Sequence, residues 1–290
     1  MRWAGRSGLR ILTYHRFPEA DLTHLERQCE YFRRYYRILT LDEAAGSLER
    51  GEEFPPYSLA ITIDDGFRDF LGAHRVFERY EIPVTVYLMT GFLDGGWLWT
   101  EYVRHCFAHA AGRGAEIAGQ TAGSPAEFNR IAKRLPDAER RAAVAGLAGQ
   151  LRVEASGSPP EAQAPLSWDE VRELAGRGVT FGAHTVNHPI LSRVAARDEL
   201  KKEILGSKQR IEAELGVPCH HFCYPNGGPD DFTSEAVQVV REAGFRTATT
   251  MTNGRNLPDA DPFRLKRLAM EPGINGFYFE SVLTGLRRTA

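Results

Sequence analysis

The stretch "AITIDDGFRDF", residues 60–70, closes an apolar, β-branched run with two adjacent aspartates, Asp64 and Asp65, just before a glycine. Such a run reads as a buried strand. An Asp-Asp-Gly by itself is often only a turn. Two carboxylates side by side at the end of a buried strand repel each other unless a cation stands nearby. The pair therefore asks what else the chain brings to the same place.

Outward from this strand the pattern alternates. "LRILTYH" at 9–15 reads as a strand, and the next segment has helical spacing at Leu22, Leu25, Cys29 and Phe32, with a short helix near 41–49. "FRDFLGAHRVFERYE" is helical, with Phe70, Ala73, Val76, Phe77 and Tyr80 on one side, and "IPVTVYLMT" is a strand. From 97 to about 165 the reading changes to a helical insertion that ends in the turn-rich loop "ASGSPPEAQAP". The alternation then resumes: a helix with Ser167 as N-cap and Glu170 in the capping-box position, then "VTFGAHT", a long helix, "HHFCYP", another helix and "FRTATTM". Seven or so strands separated by helices argue for parallel pairing through crossovers, and fit a β/α barrel better than a small open sheet, with a doubly wound sheet left open by the pattern alone.

The 290 residues carry 42% hydrophobic and 26% charged side chains with a net charge of −2, which is ordinary globular composition. No global charge argues for nucleic acid or an anionic membrane. Arginine and aromatic residues alternate in "RQCEYFRRYYR" at 27–37, and the plainer reading is an amphipathic helix with its arginines in solvent. Cys29, Cys106, Cys219 and Cys223 form no C-x-x-C pair, and "CHHFC" lacks the separated ligand clusters of a zinc module, so semi-buried thiols are expected. No segment reaches about 20 apolar residues. The N-terminal "MRWAGRSGLRILTYHRF" has no apolar run of leader length, so the chain reads as cytoplasmic; one trimmed of its leader would read the same.

Active sites of barrels and open α/β sheets gather at the carboxyl ends of strands. Here those ends carry His15, the Asp64–Asp65 pair, His184 and His188 of "FGAHTVNHP", and Tyr224 of "FCYPNGG". One turn after the strand would bring His184 and His188 to one side. Two neutral imidazoles and one carboxylate suit a Zn²⁺-like ion with an open position for water. One aspartate would then hold the metal and its neighbour act as base. Co²⁺, Ni²⁺ or Fe²⁺ would bind the same set.

At this point a family resemblance enters. "TIDDG" resembles the T-F-D-D-G motif of polysaccharide deacetylases, and "HTVNHP" matches their H-S/T-x-x-H-P motif without a gap. The resemblance covers roughly 9–95 and 165–270. It implies an α/β fold, a distorted (β/α)7 barrel with a helical insertion, forming one catalytic domain over 1–290. It implies metal-dependent removal of an acetyl group from an N-acetylated sugar, glycan or glycoconjugate. By motif, Asp65, His184 and His188 look like the metal ligands, Asp64 like the general base, and the Tyr224 N–H like the oxyanion donor, with Pro225 and Asn226 beside it at the substrate. The family's late L-x-H is replaced by "FRLKRLAM", which has no histidine. "LTYHRF" and "CYPNG" resemble instead the permuted type that acts on poly-N-acetylglucosamine. That type points to His15 as the general acid, with Arg264 or Arg267 orienting Asp64. Trp97 and Trp99 of the insertion are candidate sugar contacts. Two other readings are a hydrolase of a different C–N amide and a glycan-binding protein without catalysis; the sequence leaves the oligomeric state open.

Overall fold

The computed structural model describes residues 8–154, 157–274 and 276–284; residues 1–7, where a leader was sought, and the first two residues of the turn-rich loop lie outside these. The first half of the chain runs β1 (Arg10–Tyr14), α1 (Leu22–Tyr35), β2 (Arg37–Ile38), α2 (Leu41–Arg50), β3 (Ser58–Ile63), α3 (Phe70–Arg79), β4 (Thr85–Leu88) and α4 (Thr90–Leu93). The inserted segment holds α5 (Trp99–Ala108), β5 (Ala115–Ile117), β6 (Gln120–Ala122), α6 (Pro125–Ala132) and α7 (Asp137–Leu151). The remainder is α8 (Trp168–Gly176), β7 (Thr180–Ala183), α9 (Arg197–Leu215), β8 (His221–Cys223), α10 (Ser234–Glu242), β9 (Thr247–Thr249), β10 (Leu268–Ala269) and α11 (Gly276–Thr284).

Seven strands lie in the order β10-β1-β3-β4-β7-β8-β9, with β2 beside β3, and every pairing in this sheet is parallel. Parallel pairing puts all strand carboxyl ends on one face. The Leu265 N–H donates to Ala248 and the Leu265 carbonyl accepts from Thr250, while Leu268 stands opposite Leu12 of β1. The final segment is thus bonded to β9 on one side and β1 on the other, and the sheet curls back on itself as a distorted (β/α)7 barrel.

Side-chain alternation explains what fills it. Leu9, Ile11, Ala60, Tyr87, Cys223 and Leu265 form a buried cluster in the interior. Leu12, Tyr14, Leu59, Ile61, Ile63 and Phe222 belong to a larger cluster with the apolar stripes of the helices, including Phe32, Phe70, Phe77 and Val240. Ser167 and Glu170 form the expected capping box on α8, and Thr40 and Glu43 form a second on α2.

The insertion has its own core of Trp99, Val103, Cys106, Phe128, Ile131, Leu147 and Leu151. It is not wholly helical as expected: β5 and β6 pair antiparallel as a hairpin. The turn residues Ala118 and Gly119 have φ of 49° and 72°. That is the primed geometry short hairpins prefer, usually written Asn-Gly or Asp-Gly. An Ala-Gly turn between two three-residue strands carries too weak a pattern to stand out in the sequence.

Gly182 of β7 lets the Tyr87 ring fill the barrel. A Cβ there would lie 2.6 Å from Tyr87 Cδ1 and 2.8 Å from the His221 carbonyl oxygen. Gly182→Ala is expected to destabilise the protein by about 1–3 kcal/mol, read as a lower urea midpoint with unchanged slope. An unaltered midpoint would show that the interior can yield.

Candidate active site

The strand ladder carries the reactive residues into place. The Asp64 N–H donates to the Tyr14 carbonyl and the His184 N–H to the Leu88 carbonyl, both at 2.9 Å, so each residue is the last rung of its strand. Asp65 then takes φ of 73°, Thr185 65° and His188 53°. Left-handed backbone costs a non-glycine residue on the order of 1–3 kcal/mol, and such residues cluster at functional sites. The bend after β7 is held by the Thr185 hydroxyl, which accepts from the His188 N–H at 3.0 Å. It is also held by Glu203 of α9, which accepts from the N–H groups of Val186 and Asn187 and from the Asn187 side chain.

Asp64 meets Arg267 in a buried bidentate pair, both N···O distances being 2.7 Å. The other donor directions of Arg267 go to the Thr250 carbonyl, the hydroxyls of Thr13 and Thr62, and the Cys223 sulfur. Burial raises the Asp64 pKa, but the Arg267 charge and its hydrogen bonds overcome this and hold the carboxyl well below the usual range. Arg264 is half exposed, pairs with Asp261 and lies over the Phe232 ring. Of the two arginines proposed from sequence, only Arg267 faces Asp64.

Asp65 has different company. Its Oδ1 lies 3.5 Å from His184 Nε2 and 3.7 Å from His188 Nε2. That oxygen is buried with no hydrogen-bond partner, as is His188 Nδ1. His184 Nδ1 donates to the Cys223 carbonyl at 2.8 Å, which leaves the Nε2 lone pair facing Asp65. Burial first, with the nearby Lys133 charge adding to it, pushes the His188 pKa well down, so the imidazole is neutral. Burial raises the Asp65 pKa. Asp65, His184 and His188 each offer one ligand atom, and these lie within 4.8 Å of one another. An orphaned carboxylate oxygen facing two imidazole nitrogens fits a divalent cation. A second group, Asp64, His184 and Cys223, is equally compact. There Arg267 already holds Asp64, and burial keeps the Cys223 thiol protonated, so that group fits a cation poorly.

Asp64, Asp65, His184 and His188 line a cleft of ≈ 300 Å³. His15 stands across it, its Nε2 3.6 Å from Asp64 Oδ2 and its side chain 45% exposed. A larger groove of ≈ 580 Å³ lies elsewhere, between α8 and α9, and holds none of these groups. The Tyr224 N–H is not free for an oxyanion, because it donates to the Thr249 carbonyl within the sheet. The Tyr224 hydroxyl donates to the Phe263 carbonyl, and its ring stacks on Phe232 at 4.1 Å. Two residues on, Asn226 lines the cleft with φ of 56°, and its side-chain Nδ2 is buried without a partner. Asn226 is thus the open donor of this turn. Pro225 is buried and its carbonyl accepts from Gly227.

The tryptophans also stand otherwise than expected. Trp99 is 5% exposed in the core of the insertion, and its indole N–H donates to the His188 carbonyl at 3.1 Å. Arg140 packs over its ring at 4.8 Å. Trp99 therefore props a histidine from behind rather than presenting a face to sugar. Trp97 is half-buried against Tyr102 and His105, outside the cleft lining. The insertion reaches the cleft through Leu98, Thr100, Glu101, Arg104 and Lys133, none of which stood out in the sequence. The four cysteines are buried and free.

Comparison with known proteins gives the family and the fold. The family model for polysaccharide deacetylases matches residues 51–248, and the chain belongs to that family. The Bacillus subtilis (strain 168) protein YxkH, which bears the same family name, is 20% identical over 122 residues. That match spans 42% of this chain and 42% of YxkH, less than half the length of this curated relative. Among solved structures, the Streptococcus pyogenes deacetylase PplD in complex with acetate superposes with a TM-score of 0.65 at 16% identity, covering 96% of this chain and 99% of that one. IcaB from Ammonifex degensii gives 0.62 at 18% identity, covering 96% and 95%. The BpsB deacetylase domain from Bordetella bronchiseptica gives 0.60 at 16%, covering 92% and 97%. At these identities the likeness is one of fold.

Arg267→Met leaves the Asp64 carboxylate buried and unpaired. It is expected to cost about 3–5 kcal/mol at neutral pH. In the unaltered protein the Asp64 contribution is complete above its unfolded-state pKa of about 3.9 and is lost as pH falls through the depressed folded value. In the variant a lone buried Asp64 is relieved by taking up a proton. The difference between the two proteins should therefore shrink as pH is lowered, and a gap independent of pH would show that the loss is one of packing alone.

Proposed function

We propose that this chain is a metal-dependent hydrolase that removes N-acetyl groups from an N-acetylated sugar, glycan or glycoconjugate. The observation that carries this reading is the juxtaposition of two differently treated carboxylates. Asp65 faces two imidazoles with an unsatisfied oxygen, and Asp64 beside it is clamped ionised by Arg267. Family membership and the shared fold support the same chemistry.

Asp65, His184 and His188 would hold the cation, with Zn²⁺ the first choice for two nitrogens and one carboxylate. When bound, it supplies Lewis-acid chemistry: positive charge that polarises a carbonyl and acidifies water. Asp64 serves as the general base, since a carboxylate kept ionised by Arg267 is free to accept the proton of the attacking water. The Asn226 side chain offers a hydrogen bond to negative charge developing on the carbonyl oxygen. His15, on the open side of the cleft, delivers a proton to the leaving amine. The C–N amide bond breaks, acetate leaves, and the sugar amine remains.

Three outcomes test this. Metal-stripped protein should release no acetate from N-acetylated sugars, and added Zn²⁺ or Co²⁺ should restore release. Asp64→Asn should abolish turnover while still taking up metal, and turnover near the unaltered rate would remove Asp64 as the base. His15→Ala should lower kcat by roughly 10²–10⁴-fold; an unchanged kcat would assign the acid elsewhere. If a metal-loaded protein releases acetate from no sugar, the reaction is on another amide or the chain only binds glycans.

A further inference from the structure

The cations lining the cleft are not all paired. Asp64 is matched by Arg267. Arg16 pairs with Asp69 at 2.6 Å and also donates to the Ala162 carbonyl. Arg104 meets both oxygens of Glu101 at 2.7 and 2.8 Å. Asp65 faces the imidazoles of the metal group. Lys133, just past the C-terminal end of α6, is the lining cation that is exposed and has no carboxylate partner among the described residues. It lies close enough to His188 for its charge to act on that ring. Arg104 and Arg16 line the same cleft, each paired with a carboxylate.

We propose that Lys133, backed by Arg104, forms an anion-reading subsite beside the reacting acetamide, so that the preferred substrate is an N-acetylated sugar carrying a phosphate or carboxylate. This deepens the deacetylase reading above and rests on it for the identity of the sugar. At ≈ 300 Å³ the cleft is at the small end for ligand sites. The anionic group therefore belongs to the same sugar ring or to its immediate neighbour. A lysine ammonium is a compact point charge on a flexible stem, suited to either anion without demanding a planar, two-pronged partner. The subsite comes from the insertion rather than from the barrel, which separates recognition of the charge from the hydrolytic groups on the strand ends.

The test uses the full chain loaded with Zn²⁺ and three probes: N-acetylglucosamine, N-acetylglucosamine phosphate and N-acetylmuramic acid. Binding is measured with the Asp64→Asn protein and acetate release with the unaltered one, at low and at high salt. At least one anionic sugar should be preferred over the neutral one about three- to fivefold, the size an exposed charge pair provides, and high salt should shrink the preference. Lys133→Gln should bring the ratio near one, and Lys133→Arg should retain it. Preference for the phosphate alone, or for the carboxylate alone, identifies the source of the anion. Equal handling of charged and neutral sugars overturns the subsite, as does a preference that survives Lys133→Gln, which would belong to the metal. Acetate released from all three probes alike keeps the deacetylase and removes the subsite. Lys133-dependent binding of an anionic probe without acetate from any probe keeps the subsite and removes the deacetylase.

Discussion

The pair between Asp64 and Arg267 is the interaction on which the site depends. It joins the end of β3 to the segment that closes the barrel, and Arg267 binds the hydroxyls of Thr13 and Thr62 from two neighbouring strands as well. An ion pair so buried is costly to desolvate, and it is worth forming only where the remaining hydrogen bonds are supplied. Here they are: Thr250, Cys223 and two threonines complete the arginine. The result is an ionised carboxylate at the top of a buried interior. Without Arg267, Asp64 would take up a proton or the strand ends would part.

Beside that clamp the protein leaves one carboxylate deliberately short of partners. Asp65 sits in left-handed backbone, next to a bend that puts Thr185 and His188 in the same unfavourable region. The Thr185 hydroxyl holds this bend from within, and Glu203 from α9 and the Trp99 indole hold it from outside. Trp99 in turn is packed under Arg140 of the insertion. The insertion is thus coupled to the candidate metal group through His188 while its polar edge supplies part of the cleft wall. One segment both braces the His188 bend and lines the cleft beside it.

Much of the architecture was legible because the signals are local and repeated. Alternating apolar runs and helical stripes marked the strands and most of the helices, and Ser167 with Glu170 marked the start of α8. The strand ends carried Asp64, Asp65, His184 and His188, which the fold brings together. The hairpin was not legible, since Ala118–Gly119 lacks the usual turn residues and its strands are three residues long. The roles of Tyr224 and Trp99 were misjudged for a different reason. Whether a backbone N–H or an aromatic ring faces a cleft or a neighbour depends on contacts distant in sequence: Thr249 for one, His188 for the other.

The sequence by itself determined the α/β class of the fold and offered Asp64, Asp65, His184 and His188 as a candidate set, because strand period and the spacing of His184 and His188 are properties of short segments. Only the tertiary structure decided between Arg264 and Arg267, since barrel closure turns Arg267 inward and leaves Arg264 with Asp261 in solvent. It alone showed that the Tyr224 N–H is spent in the sheet and that Asn226 is open. It alone showed that Lys133, more than 50 residues from any strand-end ligand in the chain, stands in the cleft unmatched. Charge balance and hydrogen-bond satisfaction are sums over neighbours in space, and the chain order does not contain them.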